Sequence, residues 1–196
     1  MLVLFLAPGA AGLHIVFGSH NIPHPAKAAT GGEDAFFFDD AIGTFGIADG
    51  VGGSAKGGKV DPGEFSREVL QRCHMASHHL ATSKSGGIDD ALEMASDAPI
   101  ALGGSTTMLL GQLEDGTNKL RLLNLGDSGA MVLRPSMREF GGPGGPKVLF
   151  PRCVLRSQYQ EHGFNWPFAA RASNFGSISG DFDKVTTDIK EGDVLI

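Results

Sequence analysis

Phe45-Gly46-Ile47-Ala48-Asp49-Gly50-Val51-Gly52-Gly53, preceded by Gly32-Glu33-Asp34-Ala35-Phe36-Phe37-Phe38, decides how this chain is read. In the first stretch an apolar run of strand length delivers one acidic residue to a glycine-rich turn. In the second, an acidic pair opens another apolar run. Two such strands bring carboxylates together for a hard divalent cation, because Mg2+ and Mn2+ take carboxylates, carbonyl oxygens and water as ligands. Asp49 suits a bridging position at a strand end, and Gly50 lets its backbone carbonyl approach a cation. Glu33 and Asp34 are candidates to bind one ion and its waters. Asp127, in Leu125-Gly126-Asp127-Ser128-Gly129, is a candidate for a further ligand or for orienting water.

Outward from these stretches, residues 13–18, 35–38 and 44–48 read as β runs. A glycine-rich loop over 51–63 follows. Asp61-Pro62 supplies an N-cap and first helical position, and Phe65, Val69, Leu70 and Cys73 continue the helical spacing. A second helix is predicted from Asp89-Asp90 to about Ser96. Residues 105–112 and 119–125 form a hairpin through Glu114-Asp115-Gly116-Thr117-Asn118. Residues 130–134 are predicted as a third strand of that meander, 147–150 and 154–156 as a strand pair, and 193–196 as a last strand entering the core. Gly141 to Pro146 is a loop too short for a domain linker, and no internal repeat is visible. Strands, two helices and more strands, without regular alternation, give an α+β class with two sheets and helices outside.

The chain has 196 residues, 41% of them hydrophobic, enough for one globular unit with a substantial core. Its net charge of -6 argues against a sequence-independent nucleic-acid binder, which needs a basic patch to neutralise phosphates. Cys73 and Cys153 form no CxxC, so a disulfide framework and a cysteine zinc site are not indicated, and a reducing, intracellular compartment is expected. Residues 1–13 form an apolar segment interrupted by Pro8-Gly9, and the first basic residue is Lys27. Neither a charged leader nor a transit peptide is legible. The segment reads as an extra strand or as the remnant of an imperfect start site, the second being preferred. No apolar stretch is long enough to span a bilayer.

Each acidic turn alone is as well explained by ordinary turn chemistry. In their order, Gly32-Glu33-Asp34-Ala35, Ala48-Asp49-Gly50-Val51-Gly52-Gly53, Gly104-Ser105-Thr106 and Asn124-Leu125-Gly126-Asp127-Ser128-Gly129 resemble the metal-dependent serine/threonine protein phosphatases, the PPM or type 2C family. Residues 60–67, and Arg156-Ser157 through His162, Phe164-Asn165 and Pro167-Phe168, resemble its mitochondrial and plant branch. The resemblance runs from about residue 14 to the end. It implies a PPM-type β-sandwich of two antiparallel sheets flanked by helices, with a partial phosphatase domain over 14–196.

It also implies two Mg2+ or Mn2+ ions and a phosphoprotein substrate hydrolysed by metal-activated water. By position, Asp49 takes the catalytic, metal-bridging role, the Gly50 carbonyl and Glu33 serve one ion, Asp34 holds metal-bound water, and Asp127 matches the aspartate of a third ion. Lys27 resembles a basic residue near the substrate phosphate, and a solvated surface lysine is an equal reading. The branch suggests a mitochondrial, plastid or cytoplasmic location.

Two departures bear on activity. Val51 stands where many family members have a histidine that is proposed to protonate the leaving group. Family members also continue beyond the strand at 193–196 to further aspartates of the first metal site. As the sequence ends at Ile196, the fold is expected to be incomplete at the C-terminus, with weak Mn2+ binding, little turnover and a sheet edge prone to association. The alternative is an inactive phosphatase-like fragment or pseudoenzyme that binds metal or phosphoprotein without turnover. Gly126-Asp127-Ser128-Gly129 also matches a serine protease core, but Ala130-Met131 does not continue that signature. His74 and His78 lack the zincin glutamate and read as an exposed helix face, His20 and His24 as loop residues, Cys73 as core, and Phe36-Phe37-Phe38 as packing.

Overall fold

The computed structural model describes residues 2–9, 12–55 and 60–196, so the middle of the glycine-rich loop, 56–59, lies outside the described residues. The elements in chain order begin with Leu2–Gly9 (β1), Gly12–Ser19 (β2), Asp34–Asp39 (β3), Thr44–Gly50 (β4), Pro62–Ser83 (α1) and Ile88–Ser96 (α2). Ser105–Leu113 (β5), Lys119–Leu125 (β6), Met131–Glu139 (β7) and Lys147–Arg156 (β8) follow. Three short strands come next, Glu161–Gly163 (β9), Trp166–Pro167 (β10) and Ala170–Arg171 (β11), and then Asp183–Asp188 (β12) and Val194–Leu195 (β13).

Neighbouring strands pair antiparallel in two main sheets. One runs β2-β1-β13-β7-β8; the other runs β12-β6-β5-β4-β3, with β11 added to β5. The central strands of the second sheet, β4 to β6, are covered on both faces, which is why they read as continuous apolar runs. Met108 and Leu110 of β5 and Leu123 and Leu125 of β6 pack under the helices with Phe65, Val69 and Leu92. Their alternate neighbours, Leu109, Leu113, Leu120 and Leu122, meet Ile15, Val132 and Leu195 of the other sheet. The two-residue period of a strand thus divides one hydrophobic run between two cores. Each fully buried side chain of this kind contributes about 1.5–3 kcal/mol.

The helices form where the sequence places their signals. Asp61 Oδ1 accepts from Gly63 N at 2.8 Å and Glu64 N at 3.4 Å, and Pro62 fills the first helical position. Helix α2 is capped from outside, because Gln112 Oε1 on β5 accepts from Ile88 N at 2.8 Å. That bond ties the helix start to the sheet beneath it.

Three expectations change. Leu2–Gly9 is a strand that pairs with β2 and β13, so the strand reading of the N-terminal segment holds over those residues. Residues 130–134 do not extend the meander. The chain leaves the helix-covered sheet at Gly126 to Gly129 and enters the other one, where β7 pairs with β13 and β8. Residues 147–156 form one strand rather than two. Pro151, in the gap expected between them, lies opposite Pro135 where β7 has passed the end of the two-residue β13, and a missing N–H disrupts no ladder on that outer side.

The turn before β13 is fixed by a buried charge pair. Asp193 is fully buried, and Arg134 of β7 donates Nε to one carboxylate oxygen at 2.8 Å and Nη2 to the other at 2.6 Å. Lys190 N donates to the same carboxylate at 2.8 Å. Replacing Arg134 strands a buried anion. We therefore expect Arg134→Ala to cost about 3–5 kcal/mol of unfolding free energy, measured by urea titration. A loss below about 1 kcal/mol would mean that water reaches Asp193.

Candidate active site

The strand register assembles most of the site. Asp34, the first residue of β3, lies opposite Asp49 of β4, and Asp49 in turn lies opposite Thr107 of β5. Glu33 stands one residue before the ladder, and its carbonyl accepts from Gly50 N at 3.1 Å. Glu33, Asp34, Asp49 and Gly50 therefore share one end of the six-stranded sheet. Asp127 reaches the same end through the crossing between the sheets. Gly126 takes φ +89° there, and a Cβ on it would lie 2.4 Å from Phe168 O and 2.7 Å from Thr107 Cγ2. Only glycine fits both the torsion and the space.

Gly50 is equally confined. A Cβ on it would lie 2.8 Å from Glu33 O and 2.9 Å from the Pro62 carbonyl, so the absence of a side chain lets β3 and the start of α1 close on this residue. Hydroxyl groups that motif reading assigned no role hold the backbone beneath Asp49. Thr106 Oγ1 bonds Asp49 O at 3.0 Å, and Ser66 Oγ of α1 reaches Thr106 Oγ1 at 2.9 Å. Thr107 Oγ1 and Ser128 Oγ are 2.6 Å apart, joining β5 to the turn that carries Asp127. Their sequence signal is Ser105-Thr106-Thr107, three polar residues buried at the head of an otherwise apolar strand.

Asp49 stands exposed at the end of its strand, yet protein crowds its carboxyl enough to push its pKa up to about 6. Burial is the first cause. The charges of Asp34 and Asp127, a hydrogen bond with Asp34 and the charge of Glu33 add to it. Lys27, on a short helical turn over Pro25–Thr30, bonds Glu33 Oε2. The pair sits over Gly52, at which a Cβ would come within 3.3 Å of both side chains. With Glu33 turned to Lys27, no three acidic, imidazole or thiol side chains among the described residues converge as a metal-binding group. The donor chemistry nevertheless fits Mg2+ or Mn2+, being all carboxylate and carbonyl oxygen beside a cavity of about 130 Å3 lined by Ser19, His20, Asp34, Asp49 and Ser128.

His20, read from sequence only as a loop residue, thus lines the acidic cavity, and His24 Nδ1 accepts from Ala26 N at 3.2 Å at the start of the Pro25–Thr30 turn; the remaining sequence candidates stand apart from this end or serve the fold. His74 bonds Asp39 at 2.9 Å and stacks on Phe37 with ring centroids 4.9 Å apart, so it joins α1 to the far end of β3 rather than only lining an exposed face. His78 is exposed. Cys73 is fully buried, and burial pushes its thiol up to about 12, which suits a core residue and not a nucleophile. Phe37 packs under α1, whereas Phe36 and Phe38 stack on the opposite face at 6.2 Å, with Phe17 5.2 Å from Phe38.

The raised pKa of Asp49 carries a sign. In the folded, metal-free chain the protonated carboxyl is favoured, so ionising it opposes folding. The penalty is absent below the unfolded value of 3.8, grows as pH rises through about 6, and is complete above that. In a chelator, Asp49→Asn is expected to raise the melting temperature at pH of about 7.5 and to leave it nearly unchanged at pH of about 4. Equal gains at both pH values would remove the electrostatic assignment.

No family model matches the sequence. A probable protein phosphatase 2C 80 of Arabidopsis thaliana is 36% identical over 186 residues, which cover 94% of this chain and 40% of the relative. A probable protein phosphatase 2C 1 of Oryza sativa is 34% identical over 183 residues, 93% of this chain and 49% of the relative. The chain thus spans less than half of either. Among solved structures, the photosystem II phosphatase PBCP superposes with a TM-score of 0.72 at 29% identity, over 99% of this chain and 64% of that one. The catalytic domain of the serine threonine protein phosphatase PstP, solved with two manganese ions, shares the fold at a TM-score of 0.52 and 18% identity, over 98% of this chain and 76% of that one. Over nearly all of its length, then, this chain is similar to proteins of the protein phosphatase 2C family, on a fold that those solved phosphatases share.

Proposed function

We propose that this protein hydrolyses phosphoserine and phosphothreonine in protein substrates by direct attack of water, with no phosphoenzyme. The observation that carries this reading is the β3–β4 register, which sets Asp34 against Asp49 beside Gly50 while Glu33 and Asp127 bear on the same carboxyl. In this proposal Glu33, Asp34, Asp49, the Gly50 carbonyl and Asp127 would hold Mg2+ or Mn2+: Asp49 would be the ligand common to two ions, the Gly50 carbonyl and Glu33 would serve one of them, Asp34 would order its water, and Asp127 would serve a third. The manganese-loaded PstP structure supports the choice of ion. When bound, such ions polarise a phosphoryl oxygen and lower the pKa of water.

The chain's own residues hold the carboxylates in register and supply a cation for the phosphate. Lys27 bonds Glu33 in this structure, and its ammonium would become available to a phosphate dianion if Glu33 served a metal instead. Val51 provides no acid for the leaving alkoxide, so we assign that proton to water. Beside the glycine turn a groove of about 530 Å3, lined by Val51, Ser54, Ser105, Asn165, Trp166 and Arg171, is the proposed path of the substrate peptide. Trp166 is exposed there, ready to cover apolar side chains next to the phosphorylated residue.

We place the protein in a reducing, intracellular compartment. Both cysteines are free thiols, and none of the described helices is long and apolar enough to cross a membrane. Plastid, mitochondrion and cytoplasm are to be distinguished by fractionation, the plastid first because PBCP is named for photosystem II.

The direct test is Mn2+-dependent phosphate release from a phosphothreonine peptide by the full-length protein. Asp49→Asn is expected to lower kcat by at least about 100-fold. Activity unaffected by that change would sink the role of Asp49. Trp166→Ala is expected to raise KM for the peptide severalfold while leaving hydrolysis of p-nitrophenyl phosphate unchanged. Equal loss on both substrates would move Trp166 from the groove to the fold.

A further inference from the structure

Beyond Leu133 the strands β7 and β8 leave the sandwich. The two-residue β13 pairs with β7 at Val132 and Leu133, so residues 134–139 and 147–152 form a ribbon that no third strand joins among the described residues. Such a ribbon has little reason to carry apolar side chains in water, because two strands bury almost nothing between them. It carries them on both faces. Met137 lies opposite Leu149 on one face, 58% and 63% exposed, while Val148 and Phe150 stand on the other. At the tip Phe140, 62% exposed, stacks on Phe150 with centroids 6.5 Å apart.

The charge of the ribbon opposes that of the chain. Arg134 is held by Asp193, and beyond it Arg138, Lys147, Arg152 and Arg156 are set against a single acid, Glu139, between residues 131 and 156, in a protein of net charge -6. Glu139 also accepts from Gly144 N at 3.2 Å inside the tip. From Phe140 to Pro146 the tip holds no charged residue, and it is closed by its own backbone bonds, Phe140 N to Pro146 O at 2.9 Å and Gly145 N to Gly142 O at 3.0 Å.

We infer that the β7–β8 ribbon docks this protein on an anionic lipid surface, with the Phe140 to Phe150 tip at the headgroup and acyl boundary and Arg138, Lys147 and Arg152 against the headgroups. A protein partner lying against the ribbon covers one face. Insertion of the tip covers both, which is what the apolar residues on both faces require. The uncharged tip enters, Lys147 extends its ammonium back toward the headgroups, and the arginines on the stem meet the lipid phosphates. The device is interfacial and crosses nothing.

The test is flotation of the chain with vesicles of phosphatidylcholine alone and of phosphatidylcholine with about 30% phosphatidylglycerol. Binding is expected only to the anionic vesicles and is expected to fall with added salt. Arg138→Glu with Lys147→Glu is expected to weaken it at least about tenfold. Phe140→Ser with Leu149→Ser is expected to weaken it comparably, both pairs keeping the wild-type melting temperature because these side chains are exposed. No flotation with anionic vesicles, or flotation that survives both pairs, overturns the proposal. So does a concentration-dependent dimer that Leu149→Ser abolishes, which would give the ribbon to a second copy. Equally tight binding to polyglutamate that the serine pair does not weaken would give it to an acidic protein.

Discussion

Everything at the candidate site follows from a pairing that a sheet would ordinarily avoid, Asp34 directly opposite Asp49 on adjacent antiparallel strands. Like charges across a ladder destabilise it, and here Glu33 and Asp127 deepen the field. The register cannot slip to relieve the repulsion. One residue of slip would turn Ala35 and Ala48 from under the helices and bring Ile47 in their place. Hydrophobic burial on both faces of the sheet thus enforces an electrostatic arrangement that the strands themselves oppose.

Part of the opposing charge is offset locally. Gly50 lets the N-terminal end of the 22-residue helix α1 close on the acidic strand ends, and the partial positive charge of a helix start favours nearby carboxylates. Lys27 supplies a full positive charge to Glu33. Neither reaches Asp49 sufficiently to hold its carboxyl in the ordinary range, so an electrostatic deficit is concentrated on the residue to which the bridging role is assigned. A cation in that position would relieve the crowding of negative charge that raises the pKa of Asp49.

The fold was legible wherever local chemistry and burial agree. Asp61-Pro62 caps a helix by its own side chain, Asp115-Gly116 turns a hairpin, and the apolar runs of β4 to β6 are strands because both faces are covered. Legibility failed where the decision was made by distant partners. Nothing within residues 126–131 says that the chain changes sheets, since β6 and β7 are equally apolar at their joining ends. Pro151 reads as a break until its neighbour is known to be Pro135 at the outer end of a ribbon. The acidic turns were visible because Asp and Gly adjoin in sequence, whereas the Ser66–Thr106–Asp49 support is spread over residues up to 57 apart. Lys27 was legible as a nearby cation, but its bond to Glu33 depends on the turn at Pro25–Thr30.

The same sheet crossing relates the two ends of the molecule. Asp127 lies four residues before Met131, so β7 starts at the acidic site and runs outward to Glu139 and the tip at Phe140. Nine strand residues span about 30 Å at the usual rise. A tip held at a lipid boundary would therefore keep the acidic end on the order of 30 Å from that boundary, well beyond a Debye length of about 8 Å at physiological salt. Anionic headgroups would then exert little field on Asp49 and would not compete for cations held there. For the activity proposed above, the phosphorylated segments within reach would be those that extend from a membrane-associated protein by a comparable height, so the ribbon's length would act as a filter on substrate geometry separate from the chemistry of the site.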